Sequence, residues 1–135
     1  MITVLFACVH NAGRSQMAAA LFNQLADPSR ARAISAGTEP GSRVHPEVVA
    51  VMREAGIDLS AAVPRKLTED LAREAQVLVT MGCGDACPFV PGARMEDWPL
   101  PDPNGQPIGI VRQIRDEVRA RVEDLLVRER LNLNH

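Results

Sequence analysis

An apolar run near the start of the chain, Ile2-Thr3-Val4-Leu5-Phe6-Ala7, leads into Cys8-Val9-His10-Asn11-Ala12-Gly13-Arg14-Ser15, and residues with helical spacing follow at once. This succession constrains the fold more than any other stretch. A near-continuous apolar run with β-branched residues predicts a strand buried on both faces, and such strands sit inside parallel sheets covered by helices. A loop that leaves the strand and opens a helix gathers backbone amides at a helix N-terminus, where partial positive charge favours an anion. With a thiol at its floor and a guanidinium at its end, the loop from Cys8 to Ser15 reads as an oxyanion cradle holding a nucleophile.

The rest of the chain continues the alternation. Ala18, Leu21, Phe22 and Leu25 share a helical face from Arg14 or Ser15 to about Ala26, and Asp27-Pro28 ends the pattern. Ala31 to Ala36 predicts a short strand closed by Gly37. A helix starts near Pro46, buries Val48, Met52 and Ala55, and stops at Gly56. Leu59 to Pro64 is irregular. Thr68 caps a short helix with Glu69 and Asp70 in its first turn, Leu71 and Ala75 facing inward. Val77 to Met81 predicts a second buried strand, Gly82 to Pro88 a loop, and Arg94 to Trp98 a weakly signalled final strand. After a Pro/Gly-rich loop from Pro99 to Gly109, Val111, Ile114, Val118, Val122 and Leu125 mark a long helix. The expected architecture is a three-layer α/β domain spanning 1–135 with about four parallel strands. Ligands of open sheets bind beyond the carboxyl ends of the strands, which places Cys8, Cys83, Cys87 and Asp102 on one edge.

Composition excludes several classes. The net charge is −2 and the 15 Lys and Arg are dispersed, so nothing draws nucleic acid or an anionic membrane to the chain. No apolar stretch approaches the roughly 18 residues of a membrane span, and a signal-peptide pattern is lacking, so a cytoplasmic protein is expected. The chain has no Tyr, one Trp and three Phe, little surface for stacking bases. Three cysteines in a reducing compartment are not expected to form structural disulfides, and an odd number cannot all pair within one chain.

At the cradle, a cation and a helix N-terminus favour the thiolate form of Cys8, the form that attacks. Arg14 offers a planar fork for two oxygens of a tetrahedral anion. The Ser15 hydroxyl can donate to the sulfur, Asn11 tolerates a left-handed backbone and can tie the loop together, and Gly13 relieves crowding near the anion. Substrate contact is assigned to Val9, His10, Asn11, Ala12, Gly13 and Arg14. Asp102, held by Pro103, is a candidate general acid for a departing oxygen, with a plain turn residue as the rival reading. His10, His45 and His135 lack partners at ligand spacing, and Trp98 reads as a packing residue. Cys83 and Cys87 stand four apart, within the range of zinc ligands, but a zinc site would need two more ligands where only Cys8 and distant histidines remain, so no metal is expected. If all three thiols meet, one can form an adduct, a second displace it and a third take over the disulfide.

The loop from Cys8 to Ser15 with Gln16-Met17-Ala18, together with Thr80-Met81-Gly82-Cys83 and Asp102-Pro103, resembles the arsenate reductases built on the low-molecular-weight tyrosine phosphatase fold. C-x₅-R-S alone is shared with the phosphatases, and the downstream cysteine pair narrows the match. The resemblance implies that Cys8 attacks arsenate, Asp102 protonates a leaving oxygen, Cys83 attacks Cys8 and releases arsenite, and Cys87 resolves the Cys8–Cys83 disulfide. The resulting redox-active Cys83–Cys87 disulfide would be reduced by thioredoxin, with mycothiol or another low-molecular-weight thiol as the alternative, and with no bound cofactor. A monomer is expected. The spacing Cys83-x₃-Cys87 resembles an actinobacterial-type branch rather than the best-known thioredoxin-coupled members. Gly13 stands where those members carry an extra Cys, and Ala19 where they place a Glu of a potassium site, so potassium dependence is not predicted. The rivals are a low-molecular-weight protein tyrosine phosphatase using Cys8, Arg14 and Asp102, and a non-enzymatic thiol sensor of arsenite or zinc.

Overall fold

The computed structural model describes residues 1–82 and 92–133, and its elements alternate as the sequence predicts. They are β1 (Ile2–Cys8), α1 (Arg14–Leu25), β2 (Ala31–Gly37), α2 (Pro46–Glu54), α3 (Glu69–Arg73), β3 (Val77–Thr80), β4 (Arg94–Asp97) and α4 (Ile108–Arg128). The strands form one parallel sheet in the order β2-β1-β3-β4. From β1 the chain crosses first to β2 and then back past β1 to β3. The reversal opens a crevice beside the carboxyl end of β1, and Cys8 is the last residue of that strand.

Strand pleating explains why β1 is apolar throughout. Val4, Phe6 and Cys8 face a core built with α1, α2 and α4, while Leu5 and Ala7 face a smaller core with Leu67, Ala72, Ala75 and Leu78. Helices thus cover both faces, giving three layers. Phe6 has no exposed surface and lies edge-on to Phe22, with ring centroids 6.1 Å apart, and 5.5 Å from Trp98. Trp98 is therefore a packing residue, as its sequence context predicts. Thr68 caps α3 as expected, its hydroxyl accepting from the Leu71 N–H. Gly56, at φ +82°, follows the end of α2.

Some boundaries differ from the sequence reading. On α2 the fully buried residues are Val48, Val51 and Met52, and Ala55 is only half-buried, because the helix ends one residue before it. β3 stops at Thr80. α4 begins at Ile108, within the segment read as loop, because Ile108 and Ile110 are exposed and add nothing to the apolar stripe that starts at Val111. β4 is real but short and polar. Glu96 on it accepts from Arg94, Arg128 and the Trp98 indole. Burial pushes the Glu96 carboxyl up, and those hydrogen bonds outweigh it, holding the group below the usual carboxylate range. Among the described residues no helix is long and apolar enough to cross a membrane.

Candidate active site

The loop between β1 and α1 turns its carbonyls outward. Those of Cys8, Val9, His10 and Ala12 accept from the N–H groups of Thr38, Glu39, Gly41 and His45, and that of Gly13 accepts from Met17. In a trans peptide the next N–H points opposite to the carbonyl. The amides of Val9, His10, Asn11, Gly13 and Arg14 are therefore aimed into the loop, and none finds an acceptor among the described residues. The N-terminus of α1 adds its dipole, with no side-chain cap and no acidic residue in its first turn. Inward-facing main-chain amides in this arrangement can hold an anion.

Asn11 locks the nest. Its φ is +50°, and its side chain has no exposed surface. Its amide nitrogen donates to Ser15 Oγ at 2.7 Å, and its Oδ1 accepts from the Arg65 backbone N–H at 3.0 Å and Gln16 Nε2 at 3.1 Å. Because Ser15 Oγ accepts a hydrogen bond from Asn11, its own hydrogen can point to Cys8 Sγ, 2.8 Å away. Cys8 is 2% exposed, its sulfur at the floor of the loop.

Arg14 closes the rim. Its Nη1 donates to the Leu100 carbonyl at 3.0 Å, and its Nη2 lies 3.9 Å from Asp102 Oδ2. Asp102 is at once a turn residue and a neighbour of the cradle, since its Oδ1 accepts from the Asn104 N–H while Oδ2 faces Arg14. Its side chain is 48% exposed, within reach of solvent protons. Among the predicted residues, the structure thus brings together Cys8 to Ser15 and Asp102. Cys83 and Cys87 lie outside the described residues. His10 is exposed, with Nδ1 3.0 Å from the Glu39 carbonyl, and half-buried His45 lies beside Gly13.

Two glycines escaped notice as site residues. A Cβ on Gly37 would stand 2.5 Å from the Val9 carbonyl oxygen and 2.9 Å from the Asn11 nitrogen, so only glycine lets β2 support the loop at that distance. Gly82, at φ +99°, lies against Arg14, where a Cβ would overlap Nη1. The signal was available: the strands flanking β1 on both sides run into glycine at their carboxyl ends.

A parallel sheet with this order, whose central strand delivers a thiol into an amide nest closed by arginine, defines a class of oxyanion-handling enzyme. Residues 3–135 match the low molecular weight phosphotyrosine protein phosphatase family, and the chain belongs to it. Within that family it groups with the arsenate reductases. The glutaredoxin arsenate reductase of Synechocystis sp. is 37% identical over 131 residues, 95% of this chain and 98% of that one. A thioredoxin-dependent arsenate reductase of Corynebacterium glutamicum is similar in structure, with 42% identity and a TM-score of 0.81 over 93% of this chain, which spans 60% of that longer one. An arsenate reductase in its oxidized state superposes with a TM-score of 0.84 at 36% identity, covering 95% of this chain and 98% of the other.

Proposed function

We propose that this protein reduces arsenate to arsenite with its own thiols, residues 1–135 acting as one catalytic domain. The observation that carries the reading is the cradle itself: a buried sulfur 2.8 Å from a hydroxyl whose proton is left free for it, under inward-facing amides and beside Arg14. Arsenate binds with its oxygens on the amides and the Arg14 fork. Cys8 attacks arsenic and forms a sulfur–arsenic bond, and the departing oxygen leaves as water after taking a proton from Asp102. Cys83 then attacks Cys8. The Cys8–Cys83 bond forms, the sulfur–arsenic bond breaks with its electron pair on arsenic, and arsenite leaves. Cys87 attacks Cys83, returns Cys8 as thiolate and leaves a Cys83–Cys87 disulfide for an external dithiol, read here as thioredoxin.

The names of the relatives support arsenic as the central atom, and reduction is what gives Cys83 and Cys87 a role, because an arsenate centre takes up two electrons that thiols must supply. Single-turnover reduction with disulfide mapping by mass spectrometry tests the relay. Cys87→Ser should stop after one arsenite per enzyme with Cys8 and Cys83 joined. Sustained turnover of that variant with thioredoxin would refute the resolving role of Cys87.

A further inference from the structure

Gly13 is a glycine for a reason that lies on the opposite wall of the cradle. Its φ of −144° is outside the left-handed region, and what the packing around it demands is space. A Cβ here would stand 2.6 Å from Pro103 Cγ and 3.4 Å from Pro103 Cδ. Carbon atoms in favourable contact are about 3.5–4.0 Å apart, so the first of these is a severe overlap. The proline ring is bonded to the main chain at both ends and cannot swing aside as a flexible side chain would. A change of ring pucker moves Cγ by only part of the overlap, so the remaining relief falls on the backbone that carries Asp102.

That backbone is stiff and anchored. Pro99, Pro101 and Pro103 alternate with Leu100 and Asp102, which fixes φ at every second residue and restricts the residues between. Upstream, the buried Trp98 donates its backbone N–H to the Thr80 carbonyl at 2.8 Å, and the Leu100 carbonyl is held by Arg14. Downstream, the Asp102 carboxylate and the Pro103 carbonyl accept from the N–H groups of Asn104 and Gln106. A push at Pro103 is thus transmitted to Asp102. We infer that Gly13 is a positioning residue whose missing side chain leaves the seat for Pro103, and that this seat sets the Asp102 carboxyl beside the Arg14 guanidinium at the mouth of the cradle. The inference rests on the reading of Asp102 as the general acid.

The test is single-turnover arsenite release from the reduced full chain as wild type, Gly13→Ala, Asp102→Asn and the double variant, with inorganic phosphate inhibition reporting anion binding. Asp102→Asn should slow release by about a hundredfold or more, the share of a positioned general acid. Gly13→Ala should slow it by about ten- to a hundredfold, while the phosphate inhibition constant stays within about threefold. In the Asp102→Asn background, Gly13→Ala should cost nothing further. A loss from Gly13→Ala that multiplies onto Asp102→Asn, or no loss in either background, overturns the inference while leaving the acid in place. An unchanged rate in Asp102→Asn instead overturns the acid reading, and the inference with it. Pro103→Ala deletes the clashing Cγ and should restore most of the rate lost in Gly13→Ala. If Gly13→Ala alone is too unstable to purify, a folded and active Gly13→Ala/Pro103→Ala variant supports the same conclusion, and one as defective as Gly13→Ala overturns it.

Discussion

Replacing Asn11 by alanine removes three hydrogen bonds and leaves a non-glycine residue without side-chain support at φ +50°. Alanine disfavours the left-handed region by about 1–2 kcal/mol, whereas asparagine visits it routinely. Each lost hydrogen bond removes about 0.5–1.5 kcal/mol, and more where no water reaches the abandoned partner. Gln16 and Ser15 are buried, so their partners are missed in full, while the Arg65 amide is only partly buried and finds water more easily. The expected destabilisation is about 3–5 kcal/mol, a large part of the 5–15 kcal/mol of an ordinary domain. Urea unfolding followed by the fluorescence of Trp98, the single tryptophan, reads it directly. Asn11→Gly should recover about 1 kcal/mol by removing the backbone cost alone. Asn11→Asp separates stability from chemistry. A carboxylate at that position accepts the Ser15 proton and withdraws it from Cys8, so arsenate reduction should fall even in the folded fraction. A loss below about 1 kcal/mol in Asn11→Ala would show that Asn11 does not hold the cradle.

Gly82→Ala should drive the Arg14 guanidinium off the Leu100 carbonyl, and the loss of one charge-assisted contact predicts phosphate binding weakened by about tenfold or more. An unchanged phosphate inhibition constant would show that Arg14 adjusts without cost. Glu54 supplies a pH signature away from the site: hydrogen bonds from Arg112 and then Arg115 hold its carboxyl at about 2, below its ordinary value of 4.5. A folded value below the unfolded one means that the contribution to stability is complete above pH 4.5 and fades as pH falls toward 2. Glu54→Gln should therefore be less stable than wild type near neutrality, with the gap narrowing steadily in urea unfolding series taken to acid pH. A gap independent of pH would refute the ion pairs as its source.

The sequence was most legible where a residue's role depends on near neighbours. β1 announced itself because both of its faces are buried, and α4 because its apolar residues recur at helical spacing. β4 was faint because it is short and lies at the sheet edge, where Arg94, Met95 and Asp97 remain exposed and only Glu96 is half-buried in ion pairs.

The same division runs through the site. Cys8, Asn11, Arg14 and Ser15 fall within eight residues of one another, so their types and spacing alone placed a thiol, a locking amide, a hydroxyl and a guanidinium around one small volume. What closes the cradle comes from far away in the chain: the Leu100 carbonyl, 86 residues from Arg14, the Arg65 amide, 54 from Asn11, the bare Cα atoms of Gly37 and Gly82, and the seat of Pro103 on Gly13. Backbone donors and missing side chains leave no local pattern to read. Only the folding of the parallel sheet brings those strand ends together, and it is there that tertiary structure decided how the loop is closed and where Asp102 lies beside Arg14.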